Sequence, residues 1–224
     1  MGKRKIQKGP SWVEVGLGAV LALVLGVFLG AAFLIVKPVE KVKDIPKDAP
    51  AGAVYYIEGT RDYGRSSAAE DIRKKFLEGE SVDLTEGEIN LFLGDSGDKP
   101  SKASDKPGDK PADAAKMISP GSLNARIHAG TIQFGMPVDF NILTIMGTII
   151  VQTTGTFEKH GTEFVYVPDS VMVGGCPVGR IPFAKDLVLG KLVFTRPIPD
   201  DIAAAWSKLS SVNIDGTMLH LRSP

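Results

Sequence analysis

The chain has 224 residues, 43% of them apolar, and its 26 basic and 26 acidic side chains give a formal charge of zero. A balanced charge gives no whole-chain electrostatic reason to bind nucleic acid, so we predict no nucleic-acid partner. The single cysteine, Cys176, excludes an internal disulfide, and the length leaves room for one core or two small ones. The fold must therefore be held together by burial of apolar side chains.

The strongest feature of the sequence is an uninterrupted apolar run near the N-terminus. Residues 15–36, VGLGAVLALVLGVFLGAAFLIV, carry no charged side chain. At a rise of about 1.5 Å per residue this run makes a helix of about 33 Å, enough to cross a hydrocarbon core of about 30 Å. A cleaved signal peptide would have a shorter run ending at a small-residue site, whereas Gly30-Ala31-Ala32 is followed by further apolar sequence. We predict a retained transmembrane helix over residues 12–36.

Positive charges flank this run on both sides. The tail, residues 1–11, has four basic residues and no acid, and four lysines follow the helix, so the count of charges alone is a tie. Because a short basic tail is easily retained while a whole domain follows the helix, we predict a cytoplasmic N-terminus. The protein is then expected to be single-pass in the cell (inner) membrane, with its main domain, residues 53–222, outside the cytoplasm.

Small residues recur every four positions within the apolar run, at Gly18, Ala22, Gly26 and Gly30. Such a stripe lets another transmembrane helix pack closely, either that of a second copy or that of a partner protein. Glycine and alanine are also common in membrane helices that make no such contact. Two interpretations therefore stay open, a helix-packing site and ordinary membrane composition.

The next part of the chain predicts a tether, a strand and two helices. Residues 37–52 are rich in lysine, aspartate and proline and are interpreted as a tether that lets the domain sit on the membrane or stand off it. A short apolar stretch at 54–57 predicts a strand. Helices are predicted at 67–77 and 85–93, each beginning with a capping box in which Ser or Thr is followed three residues later by Glu.

Residues 96–116 have a different composition from their surroundings. The segment repeats Asp-Lys-Pro three times among Ser, Gly and Ala. Such a composition buries too little apolar surface to offset its ordering entropy, so we predict a disordered loop. Its charges nearly cancel, which argues against a dedicated electrostatic binding tail.

From residue 122 onward the pattern changes to long antiparallel strands. Apolar and polar residues alternate in several stretches. Turns at Gly130 and Gly161, where we expect positive φ, join these stretches into a meander. A helix predicted at 200–209 and two short strands about Gly216 close the chain. The predicted fold class is therefore α+β: an N-terminal transmembrane helix followed by a curved antiparallel β-sheet domain that about three helices cover.

One strand of this meander, TIQFGMPVDFNI at 131–142, alternates without a slip. Its apolar face consists of Ile132, Phe134, Met136, Val138, Phe140 and Ile142. Pro137 on the other face has no N–H to donate, which predicts an edge or a bulge there. Two coverings of the apolar face stay open. The predicted helices complete an ordinary core, or the sheet curves round them and leaves an apolar groove for an acyl chain or an apolar segment of a partner.

The sequence contains no recognisable catalytic or metal-binding motif. The histidines, His128, His160 and His220, have no metal-ligand spacing and are expected to be exposed or structural. VGGCPVGR at 173–180 lacks the Gly-Lys-Ser/Thr ending of a phosphate-binding loop and is better explained as a turn. Cys176 within it is expected to be a small buried or loop residue; the alternative, a nucleophile, has no base identifiable from spacing. We predict no cofactor, no metal and no enzymatic activity.

The order of these parts resembles a known family. A short basic tail, one anchor, the LTEGEIN helix start and the stretch VYVPDSVMVGGCPVGRIP are similar to YpmS-like bacterial single-pass membrane-anchored proteins of unknown function. That group has a Leu-Thr/Ser-x-x-x-Ile-Asn start before a curved β-sheet, matched here by Leu84, Thr85, Ile89 and Asn90. The resemblance covers residues 82–221 and carries no catalytic residue over to this chain.

Three functions fit these observations, in order of preference. The first is a membrane-anchored, non-enzymatic extracytoplasmic binding domain that handles lipid or another apolar ligand, since some single-anchor domains with long curved sheets hold lipid. The second is an accessory or scaffold subunit of a membrane protein complex, which associates through the small-residue stripe. The third is an enzyme using Cys176. The expected partners are the lipid bilayer, a bound lipid, and a membrane-protein partner or second copy reached through the transmembrane helix.

Overall fold

The computed structural model describes residues 11–44, 46–50, 52–60, 66–95, 118–142, 145–181, 184–190 and 199–224. Residues 1–10 of the predicted basic tail and the predicted disordered loop at 96–116 lie outside these ranges. The helices are Trp12–Val36 (α1), Ser66–Glu78 (α2), Glu86–Asp95 (α3), Ala184–Val188 (α4) and Asp200–Trp206 (α5). The strands are Glu40–Lys41 (β1), Tyr55–Tyr56 (β2), Val82–Thr85 (β3), Ile118–Pro120 (β4), Asn124–His128 (β5), Thr131–Ile142 (β6), Ile145–His160 (β7), Glu163–Val173 (β8), Cys176–Pro177 (β9), Ser211–Asp215 (β10) and Met218–Arg222 (β11). The predicted α+β class is confirmed.

The first helix, α1, coincides with the predicted span and is long and apolar enough to cross a membrane. Its 25 residues make about 38 Å of helix at about 1.5 Å each. Ser11 and Glu14 form a capping box at its start: the Glu14 N–H donates to Ser11 Oγ at 3.2 Å, and the Ser11 N–H donates to Glu14 Oε2 at 2.8 Å. None of its residues is buried, so within this chain α1 is not a core helix.

Six strands form the large antiparallel sheet. The order is β4-β6-β7-β8-β9, and β5 pairs with β6 on the same side as β4. The turns at Gly130 and Gly161 have φ of +74° and +66°, as predicted, and Ala129 also has a positive φ of +50°. A register shift between Thr154 and Gly155 is a β-bulge, which bends the strand.

Pro137 lies in the middle of the sheet, opposite a break in the neighbouring strand. Its carbonyl accepts the Gly121 N–H at 2.8 Å. Residues 121–123 separate β4 from β5 and belong to no strand. Because the N and O of one strand residue face the same neighbour, the nitrogen without a proton faces this interruption. Pro137 thus lies neither on an edge strand nor at a bulge of β6, as was predicted, but opposite a break in the partner strand.

A second, three-stranded sheet has the order β10-β11-β3. The hairpin of β10 and β11 about Gly216 was predicted, whereas β3 was not. This strand spans only Val82–Thr85 and pairs with the C-terminal strand, Leu84 opposite Leu219. A four-residue strand whose partner lies at the far end of the chain leaves little local signal in the sequence.

The apolar face of β6 is covered by the chain's own elements. Ile132, Phe134, Met136 and Val138 are between 1% and 8% exposed. They share one core cluster with residues of the small sheet, α3, α5 and the turn after α5: Val82, Leu84, Ile89, Ala205, Leu209, Leu219 and Leu221. Phe140 is half-buried, and the side chain of Ile142 lies outside the described ones. The candidate groove is therefore filled along these four residues, because a second sheet packs where an acyl chain would lie.

An aromatic cluster lies over the same face. Phe134 and Phe157 both contact Tyr166 edge-to-face, with ring centroids 5.2 Å and 5.8 Å apart, and Phe157 contacts Trp206 at 5.4 Å. The Trp206 indole N–H donates to the Phe164 carbonyl at 2.8 Å. Burial raises the pKa of Tyr166 to about 12, so its hydroxyl stays protonated at neutral pH.

Candidate functional site

The end of α1 is joined to the turn between β8 and β9. The Gly175 N–H donates to the Leu34 carbonyl at 2.9 Å, so the domain satisfies one of the carbonyls that a helix C-terminus leaves unpaired. Ala31 and Ile35 pack against the hydrophobic core. Gly174 has a φ of +58°, and a Cβ there would collide with the Ile35 carbonyl. The anchor and the domain are therefore in direct contact.

The segment after α1 lies across the polar face of the large sheet. Glu40 and Lys41 pair in parallel with Tyr55 and Tyr56. Tyr56 is 2% exposed, and its ring lies over Gly135, where a Cβ would collide with it. Part of the predicted tether is thus a strand bound to the domain, so the segment after α1 does not hang free along its whole length.

A cavity of about 290 Å³ lies between this segment and the sheet. The segment contributes Ala49, Ala53, Tyr55 and Ile57, and the sheet contributes Arg126, His128, Thr131, Gln133 and Thr154. Arg126 stands opposite Gln133, and Gln133 opposite Thr154, in the strand register. Residues directly opposite each other point to the same face, so β5, β6 and β7 present these three side chains in one row.

Arg126 is the charged residue of this cavity. It is half-buried, and its guanidinium has no hydrogen bond or ion pair with any described residue. No Asp or Glu lines the described walls. Gln133 Nε2 donates to Gln152 Oε1 at 2.8 Å, and Thr131 Oγ1 donates to the His128 carbonyl at 2.8 Å. The site combines a positive charge with polar groups, and none of its described residues supplies a counter-ion, which suits an anion.

A larger, shallow depression of about 500 Å³ lies at the end of the β6–β7 hairpin. Asp139, the charged residue of its described wall, already accepts a hydrogen bond from Thr148 Oγ1 at 2.6 Å. The depression borders residues 143–144, which lie outside the described ones. The smaller cavity at Arg126, with an unpaired charge and walls from four parts of the chain, is the better candidate for a binding site.

A polar network joins the two walls of the cavity. Asn90, fully buried, donates from Nδ2 to the carbonyls of Ala125 and Thr60 at 2.7 Å and 2.8 Å and accepts the Ala125 N–H at 2.6 Å. Asn124 accepts the Gly59 N–H at 2.6 Å and donates to the Gly59 carbonyl at 3.1 Å. These bonds hold the segment that ends at Thr60 against β5, the strand that carries Arg126.

The other residues of the LTEGEIN motif position α3, the helix that carries Asn90. Leu84 and Ile89 are buried in the core. Thr85 and Glu88 form the predicted capping box of α3, in which the Thr85 N–H donates to Glu88 Oε2 at 2.8 Å and the Glu88 N–H donates to Thr85 Oγ1 at 3.4 Å. The motif therefore places α3, and α3 places Asn90.

The predicted helix-packing stripe is uncovered within this chain. Gly18, Ala22, Gly26 and Gly30 are all exposed. A Cβ at any of the three glycines would meet no atom within 4 Å. The stripe and the cavity are separate features of the molecule.

Cys176 and the three histidines lie far apart in the structure. Cys176 is 4% exposed and belongs to the core, which confirms that it is a small buried residue. His128 lies at the cavity, and His160 lies at the far hairpin, 3.8 Å from Glu158. His220 lies on the small sheet. Among the described residues no group of three or more His, Cys, Asp or Glu side chains could hold a metal ion.

A second charged cluster, on the small sheet, is already neutralised. His220 Nδ1 lies 2.6 Å and Arg222 Nη1 lies 2.7 Å from Asp83 Oδ1. The hydrogen bonds from His220 and Arg222 lower the pKa of Asp83. Its opposite charges satisfy one another, unlike the charge at Arg126.

Arg126 was not predicted as a site residue. The available signal was the alternation in LNARIH, which puts Arg126 and His128 on the polar face of a strand. A strand face open to water has the same pattern in a sequence, and only the fold shows that Ala49, Ala53, Tyr55 and Ile57 cover this one. Comparison of the chain with protein-family models, with curated proteins and with solved structures finds no match.

Proposed function

We propose that this chain is a membrane-anchored, non-enzymatic binding protein. The observation that supports the proposal is the junction between α1 and the domain: the hydrogen bond from Gly175 to Leu34 and the packing of Ala31 and Ile35 against the core. A domain attached in this way to the end of a membrane-spanning helix is held at the membrane surface. The ligands within its reach are those of the membrane and its immediate surroundings.

The proposal includes an orientation and a family. The four basic residues of the tail favour a cytoplasmic N-terminus and a domain on the extracytoplasmic face of the cell (inner) membrane. Membership of the YpmS-like group is supported by the match at Leu84, Thr85, Ile89 and Asn90.

The proposed binding site is the cavity at Arg126. The apolar groove considered for the other face of β6 is filled by the core along Ile132 to Val138, whereas this cavity is open to a ligand. Its outer wall, which includes Ala53, Tyr55 and Ile57, is largely apolar, and its sheet wall is polar. A lipid or another molecule with an apolar and a polar end matches these two walls.

Native mass spectrometry of the full-length protein, after extraction in a mild detergent, tests this proposal. We expect a bound lipid or small molecule on the wild-type protein. Ala53→Trp, which fills the cavity, should lose this mass, whereas the control Ala204→Trp, at an exposed position of α5, should keep it. A wild-type protein that carries no bound mass and binds none of the lipids or soluble molecules added to it would contradict the proposed function.

A second candidate function is that of a subunit in a membrane protein complex. It is favoured by the way α1 meets its own domain, through Ala31 and the last turn, while the stripe faces outwards. Gly26→Leu with Gly30→Leu should abolish recovery of a partner or second copy in pull-downs from solubilised membranes, because leucine side chains prevent close helix contact. Ala32→Leu is the control, since Ala32 is exposed and lies about 240° around the helix from Gly26 and about 200° from Gly30. Unchanged recovery with the double variant would refute this function.

A further inference from the structure

From the surroundings of Arg126 we infer that the cavity binds a phosphate group, carried either by a phospholipid headgroup or by a soluble phosphate ester. The inference names the ligand class of the proposed binding function and rests on it. It follows from four features of the described residues: an unpaired charge, a row of polar side chains, an apolar wall and the position of the cavity relative to the anchor.

Among the arginine side chains that the structure describes, Arg126 lacks the acidic partner that Arg73 and Arg222 have. Arg222 lies 2.7 Å from Asp83, and Arg73 lies 3.9 Å from Asp201. Arg126 is half-buried, and no described acid lines its cavity. Taking a guanidinium partly out of water without an acid is unfavourable, and a bound anion removes that penalty.

The neighbours of Arg126 suit an anion with several acceptor oxygens. The side chains of Arg126, Gln133 and Thr154 stand in register on adjacent strands, which lie about 4.8 Å apart. This row is about 10 Å wide, and the Tyr55 ring and His128 also line the cavity. A phosphate group has more acceptor oxygens than a carboxylate has, and a guanidinium binds two of them at once.

The opposite wall and the volume fit the carbon part of a phosphate ester. Ala49, Ala53 and Ile57 form an apolar surface facing the polar row. A volume of about 290 Å³ accommodates a phosphate group with several attached carbons, such as glycerol phosphate. The ligand is thus expected to place its phosphate on the sheet and its carbon chain against the segment.

The cavity lies close to the end of the membrane helix. The Ile150 carbonyl accepts the Gly174 N–H at 2.8 Å, beside the contact with α1. Thr154 is four residues further along β7, about 13 Å at about 3.3 Å per residue. This distance brings a lipid headgroup within reach and leaves the cavity accessible to a soluble ester, so the experiment must separate the two sources.

The test uses the full-length protein in a maltoside detergent, which contains no phosphate, with glycerol 3-phosphate as the soluble probe. Calorimetry should detect binding to the wild-type protein, and Arg126→Gln should weaken it at least tenfold because a charge-assisted bidentate contact is lost. Arg73→Gln makes the same change of charge on α2 and should bind as the wild type does. Thr154→Val, which removes one hydroxyl at the end of the row, should weaken binding several-fold and keeps the inference testable should Arg126→Gln not fold.

The lipid source is tested on the same proteins purified from nanodiscs of phosphatidylglycerol and phosphatidylcholine. Retention of phospholipid by the wild type and Arg73→Gln, with loss in Arg126→Gln, would identify a headgroup as the source. Binding of glycerol 3-phosphate without retained phospholipid would identify a soluble ester. A bound mass without phosphorus that persists in Arg126→Gln would overturn the inference and leave the proposed function standing. Absence of any bound mass and of any phosphate binding would overturn both.

Discussion

Gly174→Ala is expected to lower the free energy of unfolding by about 3 kcal/mol and to loosen the contact between α1 and the sheet. The φ of +58° costs an alanine about 1 kcal/mol. The added Cβ would also collide with the Ile35 carbonyl, so the turn or the helix end must move and weaken the bond from Gly175 to Leu34. Urea unfolding of the full-length protein in detergent, followed by Trp206 fluorescence, measures the loss. Hydrogen exchange of the Gly175 amide should become at least tenfold faster.

The matched control is Gly161→Ala. Gly161 has a similar φ of +66°, but a Cβ there would meet no atom within 4 Å. Its substitution should cost only the backbone strain, about 1 kcal/mol, and should leave the exchange of the Gly175 amide unchanged. The difference between the two variants, about 2 kcal/mol, then measures the contact with the anchor. Equal losses of stability in the two variants would show that the contact between α1 and the turn at Gly174 adds nothing to the cost of the substitution.

Features that depend on neighbouring residues were predictable from the sequence. The apolar run gave α1, and the period of two gave β6 with its buried face. The turn at Gly130 and the capping box of Thr85 with Glu88 also lie where they were predicted. In each case the pattern needs only residues a few positions apart, because the periodicity and the turn or cap chemistry are local.

Features that depend on distant parts of the chain were not predictable. The strand β3 exists because β11 pairs with it, and β2 lies on the large sheet because Tyr56 packs over Gly135. A lysine- and proline-rich segment has the composition of a free tether, and the sequence does not show that a surface of the domain binds it. Which of the two coverings left open for the apolar face of β6 applies was undecidable for the same reason: the second sheet covers it along Ile132 to Val138.

The candidate site also depends on distant parts of the chain. Its sheet wall was predictable as the polar face of a meander, but its other wall comes from the segment before residue 60. What makes Arg126 distinctive is an absence of described acids around it, and a sequence of balanced charge does not reveal which charges meet. Asn90, by contrast, was singled out by the family resemblance, although its role in clamping β5 became visible only in the fold.

Asn90→Leu is expected to lower the free energy of unfolding by about 3 to 5 kcal/mol. Leucine has a similar volume but leaves the N–H and carbonyl of Ala125 and the carbonyl of Thr60 without the bonds that Asn90 makes to them. Each buried group left unsatisfied costs about 1 to 3 kcal/mol. Native proteins have about 5 to 15 kcal/mol of stability in total, so the loss is large enough to shift the urea midpoint plainly.

Asn213→Leu, at an exposed position of β10, is the control and should change stability by no more than about 0.5 kcal/mol. The network also predicts a functional consequence that an ordinary core residue would not have. Because Asn90 holds Ala125, which precedes Arg126, folded Asn90→Leu protein at low temperature should bind glycerol 3-phosphate more weakly than the wild type, although Asn90 does not line the cavity. If the variant is destabilised but binds phosphate as the wild type does, the network supports the core alone. A decrease in the free energy of unfolding below about 1 kcal/mol would show that Asn90 does not hold β5 in place.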